Sequence, residues 1–288
     1  GCGCGEPGAT ECANGTFECN EDDCTLDYCL SLHAGANLKS FYGLPEDVSI
    51  ENIMSSLGSS ATGVITEGGA ASQIEPGNWA GSLSYILANQ GYWIIIDEAM
   101  DLCITDALPT ETSLIYDLHT GANLISFPID GSAIVGDALP DDIELFVTGI
   151  ITEGGAATQI SDYNWAGSLS EFNGGEGYWM ITSEAISFSF NTQALVRMKD
   201  FPIARVPSGY DYSQSTAQAF YFIESVEMIE AGDWLLAYHD DNLIGARQWL
   251  GAHSDIPVMG ADGNSFTAGY IESGATPEFK LLKNNKVL

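Results

Sequence analysis

Six of the seven cysteines, Cys2, Cys4, Cys12, Cys19, Cys24 and Cys29, fall within the first 29 residues, and Cys103 stands apart. Two chemistries use such a cluster, zinc ligation and disulfide formation. Zinc knuckles call for paired C-x2-C steps, or histidines close by. The steps here are Cys2-x-Cys4 and Cys19-x4-Cys24-x4-Cys29, with no histidine among them. The flanking residues are mostly glycine, asparagine and acid, too poor in large apolar side chains to build a core, so covalent staples are the physical alternative. Disulfides in an oxidising compartment are expected.

Other reactive constellations are absent. There is no G-x-S-x-G elbow, no H-E-x-x-H, no phosphate-binding loop and no G-x-G-x-x-G ahead of a helix. His33, His119, His239 and His253 sit in unrelated contexts, and His33 and His119 read as structural histidines. No local motif favours any pair among the acids for glycosidic chemistry. The expectation is that the chain is not an enzyme and has no catalytic residues.

Charge narrows the partners. Over 288 residues there are 40 acidic and 8 basic side chains, a formal net charge of −32. Residues 1–196 hold 28 of the acids and a single base, Lys39. Nucleic acid and anionic membranes would repel such a surface. No apolar run approaches the roughly 18 residues that span a bilayer, so no membrane insertion is expected. The chain opens on Gly1 with no signal-peptide core, which fits a processed form or a fragment of a larger protein.

The elements that position these residues come in duplicate. Leu32-His33-Ala34-Gly35-Ala36-Asn37-Leu38 returns as Leu118-His119-Thr120-Gly121-Ala122-Asn123-Leu124, an offset of 86 residues. The run T-G-V-I-T-E-G-G-A-A-S-Q-I from Thr62 recurs from Thr148, N-W-A-G-S-L-S from Asn78 recurs from Asn164, and Gly91-Tyr92-Trp93 recurs from Gly177. Within each copy the residues predict short strands, at Leu38 to Phe41, Thr62 to Thr66 and Tyr92 to Ile96 in the first, with a turn or bulge at Gly68-Gly69. One short helix is expected per copy, over Ser49 to Leu57 and Pro140 to Val147. The shared aromatics and glycines read as core packing in preference to a sugar platform. Glu67 and Glu153, charged within an apolar and glycine setting, read as acceptors for the Gly-Gly turn or as cation ligands. Cys29 precedes the first strand of copy one and Cys103 follows its last, while Ile115 and Ser189 stand at those places in copy two. A Cys29–Cys103 bridge is expected, leaving Cys2, Cys4, Cys12, Cys19 and Cys24 to form two bridges and one unpaired thiol.

Beyond about Arg197 the repeat stops. Alternating runs at Ala219–Val226, Asp233–Tyr238, Leu243–Trp249, Phe266–Tyr270 and Glu278–Leu282, punctuated by turns, predict an antiparallel β-sandwich. Asp240, Asp241 and Asp262, with Asn264, offer oxygen ligands for Ca²⁺, the one cofactor the acids could take. Hairpin chemistry is the favoured reading of those residues. The fold class is thus mainly β: two tandem homologous small β-rich domains, each with one short helix, followed by a β-sandwich. The boundaries are a Cys-rich segment at 1–30, repeats at 31–110 and 111–196, and the sandwich at 197–288.

The stretches Asp211-Tyr212-Ser213-Gln214-Ser215, Ala219-Phe220-Tyr221-Phe222-Ile223-Glu224, Ala231-Gly232-Asp233-Trp234 and Gly245-Ala246-Arg247-Gln248-Trp249 resemble a module of large secreted proteins from marine bacteria. The repeats resemble a companion module there, of the form A-G-x-N-L-I-S-F…G-Y-W, and copy one departs from it by reading S-F-Y-G. The resemblance implies an extracellular surface or assembly role and transfers no catalytic residue. Together with the opposed charge of the ends, acidic at Asp22 and Asp23 and basic at Lys280, Lys283 and Lys286, it points to an extracellular filament or surface-layer subunit joined head-to-tail to copies of itself. The alternative is a carbohydrate-binding or adhesive module of a secreted cell-surface protein, with a glycan as partner on Trp79, Trp165 or Trp249.

Overall fold

A computed structural model describes residues 9–11, 17–19, 24–191, 195–196 and 206–288. It is mainly β, built of short antiparallel sheets with, among the described residues, three four-residue α-helices. No helix among the described residues is long and apolar enough to cross a membrane. The chain divides into two compact units, Gly1–Thr148 with Glu171–Met198, and Gly149–Ser170 with Lys199–Leu288. The division falls inside the second copy of the repeat.

In the first unit, copy one forms a five-stranded sheet in the order Gly35–Lys39, Tyr92–Ile96, Ala61–Thr66, Gly69–Glu75, Asn78–Gly81. A three-stranded sheet of Leu26–Leu32, Met100–Pro109 and Gly43–Leu44 accompanies it. The strand Tyr92–Ile96 covers the residues the sequence predicts, and its lack of alternation has a cause. Tyr92, Ile94 and Ile96 enter the core of copy one, with Leu30, Leu32, Phe41, Leu102 and Ile104. Trp93 and Ile95 point to the opposite face, into a second apolar cluster. A central strand buried on both faces has no polar side to show. The expected helix is real but broken: Ile50–Ile53, capped by the Ser49 hydroxyl, gives way to a 3₁₀ turn at Ser55–Leu57, and Ile50, Ile53, Met54 and Leu57 fill the core.

Cys29 and Cys103 face each other across adjacent strands and form a disulfide. Copy two closes differently. Tyr116–Leu118 pairs with Ile186–Phe188, and Ser189 donates its hydroxyl to the Ser113 carbonyl. Tyr116, Phe127, Phe172, Phe188 and Phe190 pack ring against ring beside it, at centroid distances of 5.1–5.6 Å. In copy two, aromatic packing stands where copy one has a covalent staple. Of its expected helix over Pro140 to Val147 only the single turn Asp141–Glu144 forms, with Pro140 at its N-cap, and Val147 already begins a strand; a second turn, Val135–Ala138, precedes it where none is expected.

In the second unit, Trp234–His239 lies between Asn242–Gln248 and Glu278–Lys283, and Lys286–Val287 ends the sheet. A two-stranded ladder, Gln218–Ile223 with Ser254–Met259, shares a core with it through Leu235, Ala237, Ile244, Ile256 and Val258. Trp234 and Leu236 face the other way, beneath Val206, Tyr210 and Tyr212. One reading of the sequence needs correction here, and one strand falls outside the alternating runs. Phe266–Tyr270 is no strand: Ser265–Thr267 is a 3₁₀ turn capped by Asn264. Ser254–Met259 is a strand despite Pro257. Gly260 N–H donates to the Ala217 carbonyl opposite it, so the alternation of the ladder puts Pro257, opposite Phe220, at a position that donates nothing to its partner. Next to it, a Cβ on Gly245 would lie 1.8 Å from the Pro257 carbonyl oxygen, so only glycine allows the two strands to approach.

Candidate functional site

The residues that recur in both copies serve two purposes, locking the turns and joining the copies within the first unit. Asn37 and Asn123 do the first. Asn37 Oδ1 accepts from His33 N–H at 2.8 Å, and its Nδ2 donates to the carbonyls of His33, Gly35 and Ile94. Asn123 repeats the set with His119, Gly121 and Met180. Both amides are buried and bridge a turn whose glycine, Gly35 or Gly121, takes positive φ of 102° or 105°. Tyr92 and Tyr178 add a second lock: each hydroxyl accepts a backbone N–H five residues upstream, from Leu87 or Asn173, at 2.7 Å. Replacing Asn37 by alanine leaves His33 N–H and its carbonyl without these partners. A loss of about 1–3 kcal/mol in denaturant unfolding is expected, and an unchanged midpoint would show the amide to be dispensable.

The glycine of Gly-Tyr-Trp serves the joint. Gly91 N–H donates to the Leu124 carbonyl at 3.2 Å, and a Cβ on Gly91 would lie 2.8 Å from the Ile125 carbonyl oxygen. At the equivalent place, a Cβ on Gly177 would lie 2.9 Å from the Lys39 carbonyl oxygen. Ser40 N–H donates to Gly175, and Ser126 N–H donates to Asn89. Bridges Lys39↔Glu176 and Gln90↔Ile125 complete the pattern. These backbone approaches run in both directions, from copy one to copy two and back through the equivalent residues, which is the signature of a two-fold, self-complementary interface. Between the backbones, Ala36, Leu38, Trp93 and Leu124 form a buried cluster with Ile65, Ile95 and Trp179 against it.

Two ionic contacts cross the same joint. Lys39 Nζ donates to Glu176 at 2.7 Å. The Glu67 carboxylate meets His119 Nε2 at 2.5 Å and accepts the Leu124 N–H at 2.9 Å. Glu67 thus serves the other copy, where the sequence suggested its own Gly-Gly turn or a cation. The Thr120 carbonyl at Nδ1 and Glu67 at Nε2 both raise the His119 pKa above the usual histidine range, against a small opposing effect of burial.

The Asn-Trp-Ala-Gly motif is also structural. A Cβ on Gly81 would lie 2.1 Å from the Ala70 carbonyl oxygen, and one on Gly167 2.2 Å from that of Ala156. Trp79 packs half-buried on the core of copy one, and Trp249 does so on the C-terminal core. Trp165 is partly buried.

The remaining residues singled out in the sequence are dispersed. Asp262 is drawn into its own turn by Thr216, Asn264 and Thr267. Burial pushes its carboxyl up, but hydrogen bonds from Thr267, Thr216 and Asn264 outweigh that and hold it below the usual range. Asp240 takes positive φ beside Asp241 in the hairpin joining Trp234–His239 to Asn242–Gln248. Among the described residues no three His, Cys, Asp or Glu side chains gather as metal ligands. Lys280 pairs with Glu278 and lies over the Tyr238 ring, and Lys283 meets Glu230 and Asp233. Lys286 stands exposed on the terminal strand. Cys19 and Cys24 are disulfide-bonded. Cys2, Cys4, Cys12, Asp22 and Asp23 lie outside the described residues.

One constellation in the second unit gave no sequence signal. Asp255, on Ser254–Met259, is fully buried and accepts from Ala156 N–H, Ser168 N–H, the Ser168 hydroxyl and Arg247 Nη2. Arg247 also donates to the carbonyls of Asp255 and Gly154. Burial pushes the Asp255 carboxyl up, against the opposing pull of Arg247 and Ser168. Arg247 and Asp255 are eight residues apart, but Ala156 and Ser168 are 99 and 87 residues from Asp255, so neither partner announces the other.

No protein-family model, curated protein or solved structure matches this chain.

Proposed function

We propose that this chain is an extracellular structural subunit without enzymatic activity, which assembles with copies of itself into a filament or surface layer. One observation carries the reading. Among the described residues, the retained Gly-Tyr-Trp and Gly-Ala-Asn-Leu motifs of both copies go into interiors, turn locks and the joint: Tyr92 and Tyr178 are buried, Trp93 and Leu124 meet in the joint, Asn37 and Asn123 lock turns, and Gly91 and Gly177 admit the other copy's backbone. Duplicated units of this kind hold position and present surfaces, which is what an assembling subunit needs. Three disulfide-bonded sites, at Cys19, Cys24 and Cys29–Cys103, suit an oxidising exterior. The terminal strand Lys286–Val287 ends its sheet with an exposed cationic side chain, an edge on which a strand of an acidic neighbour could add.

Electron microscopy of the purified protein at high concentration, oxidised and in calcium-containing buffer, tests this. Ordered filaments or sheets are the expected result. Monodisperse single chains under all such conditions would sink it.

A further inference from the structure

The joint between the copies has two properties that matter beyond the single chain. It is self-complementary, and copy one keeps a core separate from it. The core of copy one draws on residues from Leu26 to Ala107, whereas the joint cluster draws on both copies. Opening the joint therefore exposes a limited apolar face and leaves that core intact. The connection between the copies, from Glu111 to Ile115, is short and exposed or half-buried throughout, and its one internal backbone bond runs from Leu114 N–H to Glu111.

Charge decides which copies can pair. Lys39 is the only basic side chain in the first 196 residues, and it lies in this joint against Glu176. Position 125, its counterpart in copy two, is isoleucine, opposite Gln90. A copy-one pair would set Lys39 against Gln90 on both sides, and a copy-two pair would set Ile125 against Glu176. Only unlike copies bring the cation to the carboxylate. That rule is met equally well within one chain and between two.

We infer that this joint is exchangeable: copy one of one molecule occupies copy two of another, with Lys39–Glu176 selecting the unlike pairing. Passed from chain to chain without closing, such an exchange gives a linear polymer in which each contact is already present in the monomer. The inference rests on the self-assembly reading above and names the surface that performs it.

The test uses complementary charge reversal in the full-length chain. Lys39→Glu sets two carboxylates face to face in the joint, and Glu176→Lys sets two ammonium groups face to face, so each variant strains its own joint. Mixed after joint denaturation and refolding at high concentration, the two regain opposite charges in both joints of an exchanged pair. The mixture is expected to show a species of twice the chain mass by light scattering, prominent there and minor in either variant alone. The double variant Lys39→Glu/Glu176→Lys, which restores opposite charges within one chain, should behave as the parent. A mixture showing only the masses of its separate components overturns the inference. Should either single variant fail to fold by circular dichroism, deletion of residues 111–114 decides. A chain too short to close its own joint should form multiples of its mass, and a folded monomer overturns the inference. Parent filaments without exchange would leave the assembly reading standing and reject this surface, while exchange without filaments would do the reverse.

Discussion

Asp255→Ala is expected to destabilise the second compact unit by about 3–5 kcal/mol, because it leaves a buried guanidinium without its counter-charge. Arg247 Nη2 lies 2.9 Å from the carboxylate, and the arginine side chain is only 14% exposed. Ala156 and Ser168 would also lose the acceptor for their backbone N–H groups. Asp255→Asn separates shape from charge. All four side-chain contacts are accepted by the carboxylate, and a primary amide offers one acceptor and one donor group. Its NH2 must face a donor on one side, so asparagine should recover little of the loss. Replacing both Arg247 and Asp255 by leucine should cost less than Asp255→Ala alone, because no charge is then stranded. Denaturant unfolding followed by tryptophan fluorescence reads all three. A loss for Asp255→Ala below about 1 kcal/mol would show that the pair is solvated in solution and holds nothing together.

The second large effect concerns the first unit. Replacing Cys29 and Cys103 together by serine is expected to lower its stability by about 4.5 kcal/mol, the chain-entropy value for a closed loop of this length. The bridge spans 74 residues and encloses nearly the whole of copy one. Cys29 is exposed and Cys103 partly so, on the solvent side of strands whose Leu30, Leu32, Leu102 and Ile104 face inward. Serine therefore opens no cavity, and the loss arises in the unfolded chain, which gains freedom. A folded-state effect would change the contacts of the core. A double variant whose near-ultraviolet circular dichroism is native but whose unfolding midpoint falls supports the entropic account. An unchanged midpoint would mean that the strand ladder alone fixes these ends.

The repeat, the strand Tyr92–Ile96, the break in pairing at Gly68 (as a turn or a bulge) and the pairing of Cys29 with Cys103 could all be read from residue order. Each depends on neighbours close in the chain, or on comparing two copies of one pattern. The same comparison marked Lys39 as a departure, since isoleucine stands at its place in copy two. What it could not supply was Glu176, 137 residues away. The strand Ser254–Met259, with proline inside it, has no signature in residue order, because a missing N–H is harmless only where the ladder donates nothing, and that is set by the register with Gln218–Ile223.

The retained glycines make the same division. That Gly81, Gly91, Gly167 and Gly177 recur in pairs is evident from the letters alone, and so is their role as backbone features. Which backbone approaches them is a fact of three dimensions. For Gly81 it is the neighbouring strand of the same copy, and for Gly91 it is the other copy altogether. Local periodicity and turn chemistry act over a few residues and leave their mark in composition. The partners of Glu67, Lys39 and Asp255 are chosen by packing of distant segments, where any acceptor or donor delivered to that point by the fold would serve.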